Sequence, residues 1–507
     1  MILTADTKYG IVEGQESEKK GISVFKGIPY ALPPVGDLRW RAPQPPEKWE
    51  GVRKCNTFGT PCIQPLRPSG GFYEKEFYRH SFHSYPPSWS EDCLYLNIWT
   101  PAKAAGEKLP VMMWIHGGGF TQGYGHEPRY DGETLADKGV ILVSINYRLT
   151  IFGYYGHPEL TQESGFSGNY GILDQIAALQ WIQDNIESFG GDSGNVTMFG
   201  QSAGAISVQA IAASPLAQGL VHHAIAQSGA GLTVPQMRFD LSCLEQTGME
   251  FMEDAGVKSI AELRAIPAEK MLDIVVKTNR SSFSTFPIVA DGYVLPMDKG
   301  TAFLAGKQLD IDYLVGSTID ESQIFPSFPP EAVTKESFRK TMAAKRGAWF
   351  EMLAGCCDPK DDHEAWTLLN KAPGIQWMAE HRALAYAVDK TRKKPVYSYL
   401  FTRQVPGDDN PGAFHSSCIW YAMGTQRNCW RTFTPEDEKL SGIMVSYWTN
   451  FAKTGDPNGE GLPIWTPFTT GSQLEMKLDL TCEMYDFAHE NIEMAKLQKL
   501  LEEEKVI

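Results

Sequence analysis

The pentapeptide GQSAG at residues 200–204 carries a residue type that could do covalent chemistry, a serine between two glycines. It follows an apolar run, 196–199, that predicts a strand, and it precedes the helix-compatible residues 205–213. A serine on such a tight strand-to-helix turn takes strained backbone angles, and its flanking residues must lack bulk because strand and helix pass close together. The pattern predicts Ser202 as a nucleophile that projects from this turn. The alternative is a glycine-rich turn with a capping serine.

A second glycine-rich segment, HGGG at residues 116–119, ends another apolar strand pattern. Its glycines leave backbone N–H groups open to a substrate carbonyl oxygen, and such preset donors are typically worth about 2.7–4 kcal/mol each. A phosphate-binding loop is disfavoured because no Gly-Lys-Ser/Thr follows, and a flexible turn is the plain alternative. The N–H of Ala203 lies at a helix start, which favours a developing negative charge. Together these groups predict an oxyanion hole.

A general base and an acid should follow the serine along the chain in a fold of this kind. The histidines that are serious candidates for the base are His363, His381, His415 and His489. His415 is favoured because it lies in a loop after the apolar run 396–400, whereas the others lie in charged or helical patterns. Asp320 and Glu321 follow another strand pattern, and the pattern leaves open which of them accepts the Nδ1 proton of the histidine.

Buried strands and helices alternate around these motifs. Apolar runs predict strands at 111–115, 140–145, 196–199, 224–226, 313–315 and 396–400. Between residues 172 and 189 apolar side chains recur every three or four positions, which predicts an amphipathic helix with one core-facing stripe. The alternation predicts an α/β fold with a mostly parallel central sheet that helices cover on both faces.

The remaining segments complete this prediction. Residues before 110, rich in proline and aromatic side chains, predict short strands and loops. Residues 330–395 predict a mostly helical insertion, placed over the carboxyl edge of the sheet, where α/β folds bind ligands. Residues 488–505 predict a charged amphipathic helix. The uncharged run 193–221 holds Gly, Gln, Asn and Pro residues that lipid would leave unpaired, so it predicts a strand, turn and helix instead of a membrane span.

Charge and cysteine usage exclude several classes of protein. The 507 residues include 46 basic and 61 acidic side chains, for a net charge of −15. A chain this acidic does not attract nucleic acid or anionic lipid, so neither is an expected partner. The nine cysteines form no CxxC pair and the eleven histidines no HExxH, so no metal is expected. Asp6 interrupts any apolar leader, which predicts a cytoplasmic protein with reduced thiols; a secreted form with its leader removed is the alternative.

Taken together, these motifs resemble the type-B carboxylesterase/cholinesterase family of α/β-hydrolases. The resemblance covers nearly the whole chain and rests on blocks in the family's order, at 25–40 (FKGIPYALPPVGDLRW), 91–97 (EDCLYLN), 168–182 (GNYGILDQIAALQWI), 189–204, 224–230 (AIAQSGA) and 450–458 (NFAKTGDPN). Because the blocks extend from end to end, the resemblance implies a single domain, residues 1–507, with helical insertions over the active site.

The resemblance also implies roles for individual residues. It makes Ser202 the nucleophile, His415 the general base and Glu321, the second carboxylate of the pair, the orienting acid. The implied oxyanion donors are the N–H groups of Gly118, Gly119 and Ala203. The implied activity is hydrolysis of small to medium carboxylic esters through an acyl-enzyme, with a small-molecule substrate and with no cofactor or metal. A long-chain lipase and an inactive binding or adhesion relative are the alternatives.

The resemblance implies a buried ion pair between Arg39 and Glu91, because family members carry such a pair at these positions. Many secreted members carry a disulfide at the positions of Cys62 and Cys93. In this chain we expect both cysteines as thiols. The chain departs from the family pattern elsewhere. The departures are Ser322, where glycine is common, Cys418, where many bacterial-type relatives carry an acidic residue, and His83, where cholinesterases carry the choline-binding tryptophan. Trp89 is out of register with that tryptophan, so specificity for choline esters is not expected. Cys418 is either a packed small side chain or a thiol lining the pocket.

Overall fold

The fold is described from a computed structural model of the chain. The structure describes residues 1–66, 70–77, 88–232, 240–282, 284–325, 333–341 and 358–487. In these ranges no helix combines the length and the apolar composition that crossing a membrane requires.

Two sheets are found in the described part of the chain. Their strands are β1 (Thr4–Thr7), β2 (Gly10–Glu13), β3 (Gln15–Glu16), β4 (Ser23–Pro29), β5 (Val52–Lys54), β6 (Tyr95–Thr100), β7 (Leu109–Ile115), β8 (Ile141–Ile145), β9 (Gly191–Gln201), β10 (His223–Gln227), β11 (Asp312–Thr318), β12 (Val396–Phe401), β13 (Glu475–Leu478) and β14 (Glu483–Tyr485). The larger sheet has the order β14-β13-β12-β11-β10-β9-β7-β8-β6-β4-β3, and the smaller one β1-β2-β5. Strands β8 to β13 pair in parallel along the centre of the larger sheet, with antiparallel strands at both edges. The predicted mostly parallel sheet is confirmed.

Helices pack on this sheet. They are α1 (Phe72–Phe77), α2 (Glu133–Ala136), α3 (Thr150–Tyr154), α4 (Pro158–Ser164), α5 (Tyr170–Asn185), α6 (Ala203–Ala213), α7 (Leu241–Asp254), α8 (Ile260–Arg264), α9 (Ala268–Lys277), α10 (Lys299–Leu304), α11 (Asp362–Thr391), α12 (Cys418–Met423) and α13 (Pro435–Thr454). Side chains of β7 alternate between the two faces: Met113 lies in the hydrophobic cluster that contains α5 and α6, and Met112 in the one that contains α12 and α13. Helices therefore cover both faces, as predicted.

Each predicted strand is present, and most extend beyond the apolar run that predicts it. Strand β9 covers Gly191–Gln201 instead of 196–199, because it pairs with β7 along its length and with β10 up to its last residue. The carboxyl ends of β7, β9, β10, β11 and β12 meet at one edge of the sheet. The uncharged run 193–221 forms most of β9, the turn at Ser202 and α6, which confirms its assignment.

Helix α5 differs from its prediction in the width of its buried surface. It ends at Asn185 and continues as a 3₁₀ turn, Ile186–Phe189. Twelve of its sixteen residues are buried, and only Gln180 and Asp184 are fully exposed. The helix packs against α3, α6 and β1 as well as β9, so layers on several sides bury it. The expectation of a single core-facing stripe was wrong.

The predicted helical insertion is described only in part. Its described portion is mainly α11, which contacts β11, β12 and α10, so much of it covers a sheet face. The middle of α11 reaches the carboxyl edge, where a Cβ on Gly374 would lie 3.2 Å from that of Glu321. Residues 326–332 and 342–357 lie outside the described residues, as does the predicted helix at 488–505. Where it is described, the region before residue 110 forms the predicted short strands and loops, but it also contains helix α1, which was not predicted.

Candidate active site

Ser202 joins β9 to α6 at a sharp turn. Its backbone angles are φ 58° and ψ −125°, a region that non-glycine residues rarely occupy. Its N–H donates to the Gln227 carbonyl at 2.8 Å, which fixes the turn against β10. A Cβ on Gly204 would lie 2.0 Å from the Ile115 carbonyl oxygen, and one on Gly200 2.6 Å from the backbone of Gly204. The turn therefore requires glycine at both flanking positions, for the steric reason that the pattern gave.

The glycine-rich segment after β7 packs against this turn. Gly118 and Gly119 have φ angles of 113° and 63°, and a Cβ on Gly117 would lie 3.0 Å from that of Ser202. In the described part of the chain, the N–H groups of Gly118 and Gly119 donate to no acceptor. Ala203 is the first residue of α6, so its N–H has no preceding helical turn to bind. Among the described residues, three N–H groups beside Ser202 thus have no partner.

His415 and Glu321 form a buried pair at the carboxyl ends of β12 and β11. The His415 Nδ1 atom lies 2.5 Å from Glu321 Oε2, and the Thr318 N–H donates to Glu321 Oε1 at 2.8 Å. Burial alone would raise the pKa of Glu321, but the charge of His415 and the hydrogen bonds to the carboxylate hold this pKa below its ordinary value. Glu321 is therefore a buried carboxylate that is charged and accepts the Nδ1 proton of His415.

Asp320, the other carboxylate of the pair, faces away from the histidine ring. Its Oδ2 accepts hydrogen bonds from the Gln404 side chain at 2.9 Å and from the Ala413 N–H at 3.0 Å. Asp320 therefore fixes the loop that leads to His415, while Glu321 meets the ring itself. The geometry distinguishes the two carboxylates that the sequence pattern left equivalent.

The other ring nitrogen of His415 meets Gln201, a residue that sequence reasoning passed over as the variable position of GQSAG. Gln201 Nε2 lies 3.2 Å from His415 Nε2, and Gln201 Oε1 accepts a hydrogen bond from the Ser416 hydroxyl at 3.1 Å. No hydrogen bond between Ser202 Oγ and His415 is found among the described residues. The amide of Gln201 thus occupies the position on Nε2 that a serine hydroxyl needs.

Comparisons with known proteins identify the family of the chain. The model of the carboxylesterase family matches residues 3–496. The chain belongs to the carboxylesterase family. It is a carboxylic ester hydrolase with the α/β-hydrolase fold, and its relatives are carboxylesterases.

Three of these relatives show the extent of the similarity. A fumonisin B1 esterase of Sphingopyxis macrogoltabida is 35% identical over 93% of this chain and 87% of its own. A para-nitrobenzyl esterase of Bacillus subtilis (strain 168) is 34% identical over 90% of this chain and 91% of its own. The structure of a thermophilic PNB esterase superposes with a TM-score of 0.83 at 32% identity, covering 98% of this chain and all of that one.

The other candidate histidines of this carboxylesterase lie elsewhere. His381, in α11, accepts a hydrogen bond from the Gly229 N–H at 2.8 Å through Nε2, and its Nδ1 lies 2.5 Å from the Trp377 carbonyl. Burial lowers the pKa of His381, so it is a neutral side chain that fixes the end of β10. His363 is exposed at the start of α11, and His489 lies outside the described residues.

Aromatic side chains lie beside His415, and they could not be predicted because they come from distant segments. The ring of Trp377 lies 5.1 Å from that of His415, and the ring of Phe325 lies 6.3 Å from it. The Tyr73 hydroxyl donates to the His415 carbonyl at 3.0 Å. His415 therefore has an apolar wall beside it, and part of this wall reaches the surface because Phe325 is 44% exposed.

The buried pair of Arg39 and Glu91 that the resemblance implies is present. Arg39 Nε donates to Glu91 Oε1 at 2.7 Å and its Nη2 to Oε2 at 2.6 Å, a bidentate pair. The remaining Nη1 donates to the carbonyls of Arg264 and Ile266, just after α8. The pair lies outside the catalytic groups and ties an N-terminal loop to the segment after α8.

Cysteines in the described residues are free thiols. Cys62 and Cys93 are both buried, and burial together with Cys62 raises the pKa of Cys93 well above its ordinary value. Cys418 is fully buried, accepts a hydrogen bond from Gln227 at 3.8 Å and has its pKa raised to about 12, chiefly by burial. This environment favours the packed side chain over a reactive thiol in the pocket. His83 lies outside the described residues, and within them no cluster of His, Cys, Asp and Glu could hold a metal ion.

Proposed function

We propose that this carboxylesterase hydrolyses small to medium carboxylic esters through an acyl-enzyme on Ser202, with His415 as general base and Glu321 as orienting acid. The observation that supports this most directly is the position of the buried imidazole. Its Nδ1 binds Glu321 at 2.5 Å, and its Nε2 faces Gln201, the residue immediately before the strained serine. Because Nδ1 carries the proton, Nε2 carries the lone pair that a general base requires.

Acylation begins when Ser202 Oγ bonds to the acyl carbon and its proton passes to His415 Nε2. The former carbonyl oxygen takes the negative charge and accepts hydrogen bonds from the N–H groups of Gly118, Gly119 and Ala203. The imidazolium then protonates the alcohol oxygen as the ester C–O bond breaks. In deacylation a water gives a proton to Nε2 and attacks the acyl carbon. The carboxylic acid leaves, and Ser202 recovers its proton.

The first step requires the Ser202 hydroxyl to replace Gln201 at His415 Nε2. The Gln201 contact of 3.2 Å is at the long end for a hydrogen bond. A neutral hydrogen bond is worth about 1 kcal/mol net, so this exchange is a small part of a catalytic barrier. Catalytic hydrogen bonds in unliganded sites are often absent or long and form only with substrate bound.

Ser202→Ala tests the proposal. It should abolish hydrolysis of p-nitrophenyl butyrate, because alanine offers no atom to carry the acyl group, and it should leave the fold intact by circular dichroism. Ser188→Ala is the matched control, because the Ser188 hydroxyl is exposed and donates only to the Asp6 carbonyl. Full turnover by Ser202→Ala would overturn the assignment of the nucleophile.

The preferred acyl length separates an esterase from a long-chain lipase. We expect kcat/KM to be higher for p-nitrophenyl acetate and butyrate than for the palmitate. A preference for palmitate would favour the lipase. If the wild-type protein hydrolyses none of the three esters, the result would favour an inactive binding relative.

We further propose that residues 1–507 form one domain in a reducing compartment such as the cytoplasm. The larger sheet takes strands from Gln15–Glu16 through to Glu483–Tyr485, which supports one cooperative unit. The cysteines of the described residues are free thiols, and this fits a reducing environment.

A further inference from the structure

A cavity lies at the edge of the sheet opposite to the edge that carries Ser202. It has a volume of about 700 Å³ and lies at the amino ends of β9, β10, β11 and β12. Its polar lining includes Asn195, His222, Gln308, Arg392, Lys394 and Lys453. From Asn195 to Ser202 strand β9 advances seven residues, or about 23 Å at the usual rise of a strand. The cavity is therefore separate from the candidate active site.

The cationic side chains that line this cavity outnumber the acidic side chains that pair with them. Lys394 Nζ lies 3.4 Å from Asp312 Oδ2, and the same oxygen binds His223 Nδ1 at 2.8 Å. Arg392 donates through Nη2 to backbone carbonyls of Gly306 and Gln308, which leaves its charge uncompensated. No ion pair of Arg392 or of Lys453 is found in the described part of the chain. Within the described residues two positive charges thus remain unpaired, although the net charge of the protein is −15.

Lys453 is the more unusual of these two cations. It lies in the last turn of α13, where burial and the nearby Lys138 hold its pKa below the ordinary value. Lys453 is half-buried, and even partial burial of an ammonium group without an acid is unfavourable, so an anion in the cavity would stabilise it.

Neutral polar atoms in the cavity also lack partners. Gln308 Oε1, Asn195 Oδ1 and Arg392 Nε are buried and make no hydrogen bond within the described residues. The Gln308 side chain is only 2% exposed, so bulk water does not satisfy it. His222 accepts the Val196 N–H through Nδ1, and burial and His223 lower its pKa, so its Nε2 is left as a donor. The cavity therefore offers donors for an anion and acceptors for a hydroxyl or amine.

The charge of a ligand that fits this cavity depends on which cations the nearby acidic groups already neutralise. Asp312 is already shared between His223 and Lys394, and Asp310 is exposed at the rim. The charge of Asp192 acts to raise the pKa of His222, but Asp192 already accepts a hydrogen bond from the Gly194 N–H. Asp310 also lines the cavity, but within the described residues it pairs with neither Arg392 nor Lys453, so these two cations lack a direct acidic partner and a phosphate group complements them.

We propose that this cavity binds a small phosphate monoester whose organic part carries hydroxyl or amine donors. Arg392 and Lys453 bind the phosphate, since guanidinium and ammonium groups are the usual partners of phosphate oxygens. Gln308 and Asn195 accept hydrogen bonds from the organic part. The volume exceeds that of inorganic phosphate and accommodates a molecule of the size of a sugar phosphate. The proposal is independent of the esterase assignment.

Isothermal titration calorimetry on the full chain tests the proposal, with glucose 6-phosphate as the probe. Glucose, inorganic phosphate and succinate are the comparison ligands. We expect saturable binding of glucose 6-phosphate at one site per chain, weaker binding of inorganic phosphate and none of glucose. Absence of binding up to about 10 mM glucose 6-phosphate, well beyond the millimolar range of weak specific ligands, would overturn the proposal. Equal affinity for succinate would refute a phosphate site.

Variants that remove a cavity charge test whether glucose 6-phosphate binds in this cavity. Lys453→Gln and Arg392→Gln each remove one charge and should weaken glucose 6-phosphate binding at least about tenfold, because each deletes a charge-assisted contact. Lys393→Gln is the matched control, since Lys393 is exposed and adjacent in sequence but does not line the cavity. Esterase activity of the variants reports that they fold. Unchanged affinity in both cavity variants would place the ligand elsewhere and contradict the proposal.

Discussion

The Glu321 carboxylate would hold its proton in so dry a site if burial acted alone. Instead the His415 ring and the Thr318 N–H stabilise its charged form and hold its pKa low. The charged carboxylate in turn keeps the proton of His415 on Nδ1 and favours the imidazolium that forms when Nε2 accepts a proton. Glu321 therefore acts through the histidine, and its effect should appear in kcat.

Replacing each carboxylate of the Asp320–Glu321 pair by its amide should separate their roles. Glu321→Gln should lower kcat by up to about 10⁴, because an amide cannot stabilise the imidazolium. Asp320→Asn is the isosteric control and should retain most activity, since Asp320 binds Gln404 and the Ala413 N–H and not the ring. Steady-state kinetics on p-nitrophenyl butyrate measures both variants. If Asp320→Asn is the more damaging change, the assignment of the acid is wrong.

Gln201 offers a second residue-level prediction, in the pH profile. Gln201→Glu places a carboxylate 3–4 Å from His415 Nε2 in the same rotamer, as judged from the 3.2 Å amide contact. A negative charge there favours the imidazolium, the form that cannot accept the proton of the serine. The acid limb of the kcat/KM profile should therefore move to higher pH in Gln201→Glu.

Gln201→Met is the control for that experiment, because methionine keeps the length of the side chain without charge or hydrogen bonds. Its acid limb should stay where the wild type has it. An unshifted profile in Gln201→Glu would show that Gln201 does not face the base in solution.

At the residue scale the sequence predicts what a local motif encodes. GQSAG and HGGG impose steric conditions within a few residues, so the turn at Ser202 and the glycines before it could be located in advance. The choice between Asp320 and Glu321 needed either the family resemblance or the coordinates, because both follow the same strand. Gln201, Tyr73 and Trp377 could not be predicted, since their contacts with His415 join segments distant in the chain.

At the scale of elements, α11 and the loop after β11 are connected by Ser322. This residue is one of the departures from the family pattern, which commonly has glycine there. Its hydroxyl donates to the Asn370 carbonyl at 2.7 Å, one helical turn before Gly374, which lies against Glu321. The helix contains Pro373, so its backbone lacks one N–H in this turn. The hydroxyl satisfies a carbonyl next to that interruption and holds the acid loop on the helix.

Ser322→Ala should therefore destabilise the protein by about 1 kcal/mol, because it deletes one buried hydrogen bond. Ser446→Ala is the control: its hydroxyl also donates to a helix carbonyl, that of Gly442, but on an exposed surface. The control should change stability by less than about 0.5 kcal/mol. Urea unfolding followed by fluorescence measures both variants. Equal stabilities would show that the Ser322 contact contributes nothing.

Helices and strands could be predicted where burial gives them a mostly apolar composition. The central strands are nearly continuous apolar runs because helices cover them on both faces. The edge strands β3 and β14 bury none of their residues and show no apolar run, so neither could be predicted. The width of the buried surface of α5 also escaped prediction, because it depends on neighbours contributed by distant parts of the chain.

At the scale of the whole molecule, one sheet connects the two ends of the chain and carries two polar sites at opposite edges. The carboxyl edge holds Ser202, Glu321 and His415, and the amino edge holds the cavity around Arg392 and Lys453. The strands between them are buried. Either site can therefore be altered without rebuilding the other.

The low pKa of Glu321 predicts how stability responds to acid. A carboxylate with a lower pKa in the folded than in the unfolded chain stabilises the fold at pH values above its ordinary pKa of 4.5, and this contribution is lost as the pH falls through the folded value. The free energy of unfolding of the wild type should therefore fall more steeply with acid than that of Glu321→Gln. Glu460→Gln, on the surface, should follow the wild type. A constant difference between wild type and Glu321→Gln from pH 7 to pH 3.5 would contradict this interpretation.

The central claim is that Ser202 carries the acyl group. A fluorophosphonate reacts with a serine only when a base and an oxyanion hole activate it, so mass spectrometry of the labelled protein and its peptides tests the claim directly. We predict one adduct per chain, on the peptide containing Ser202, with labelling greatly slowed in Glu321→Gln. An adduct on another residue, or labelling that proceeds equally well in Ser202→Ala, would contradict the claim.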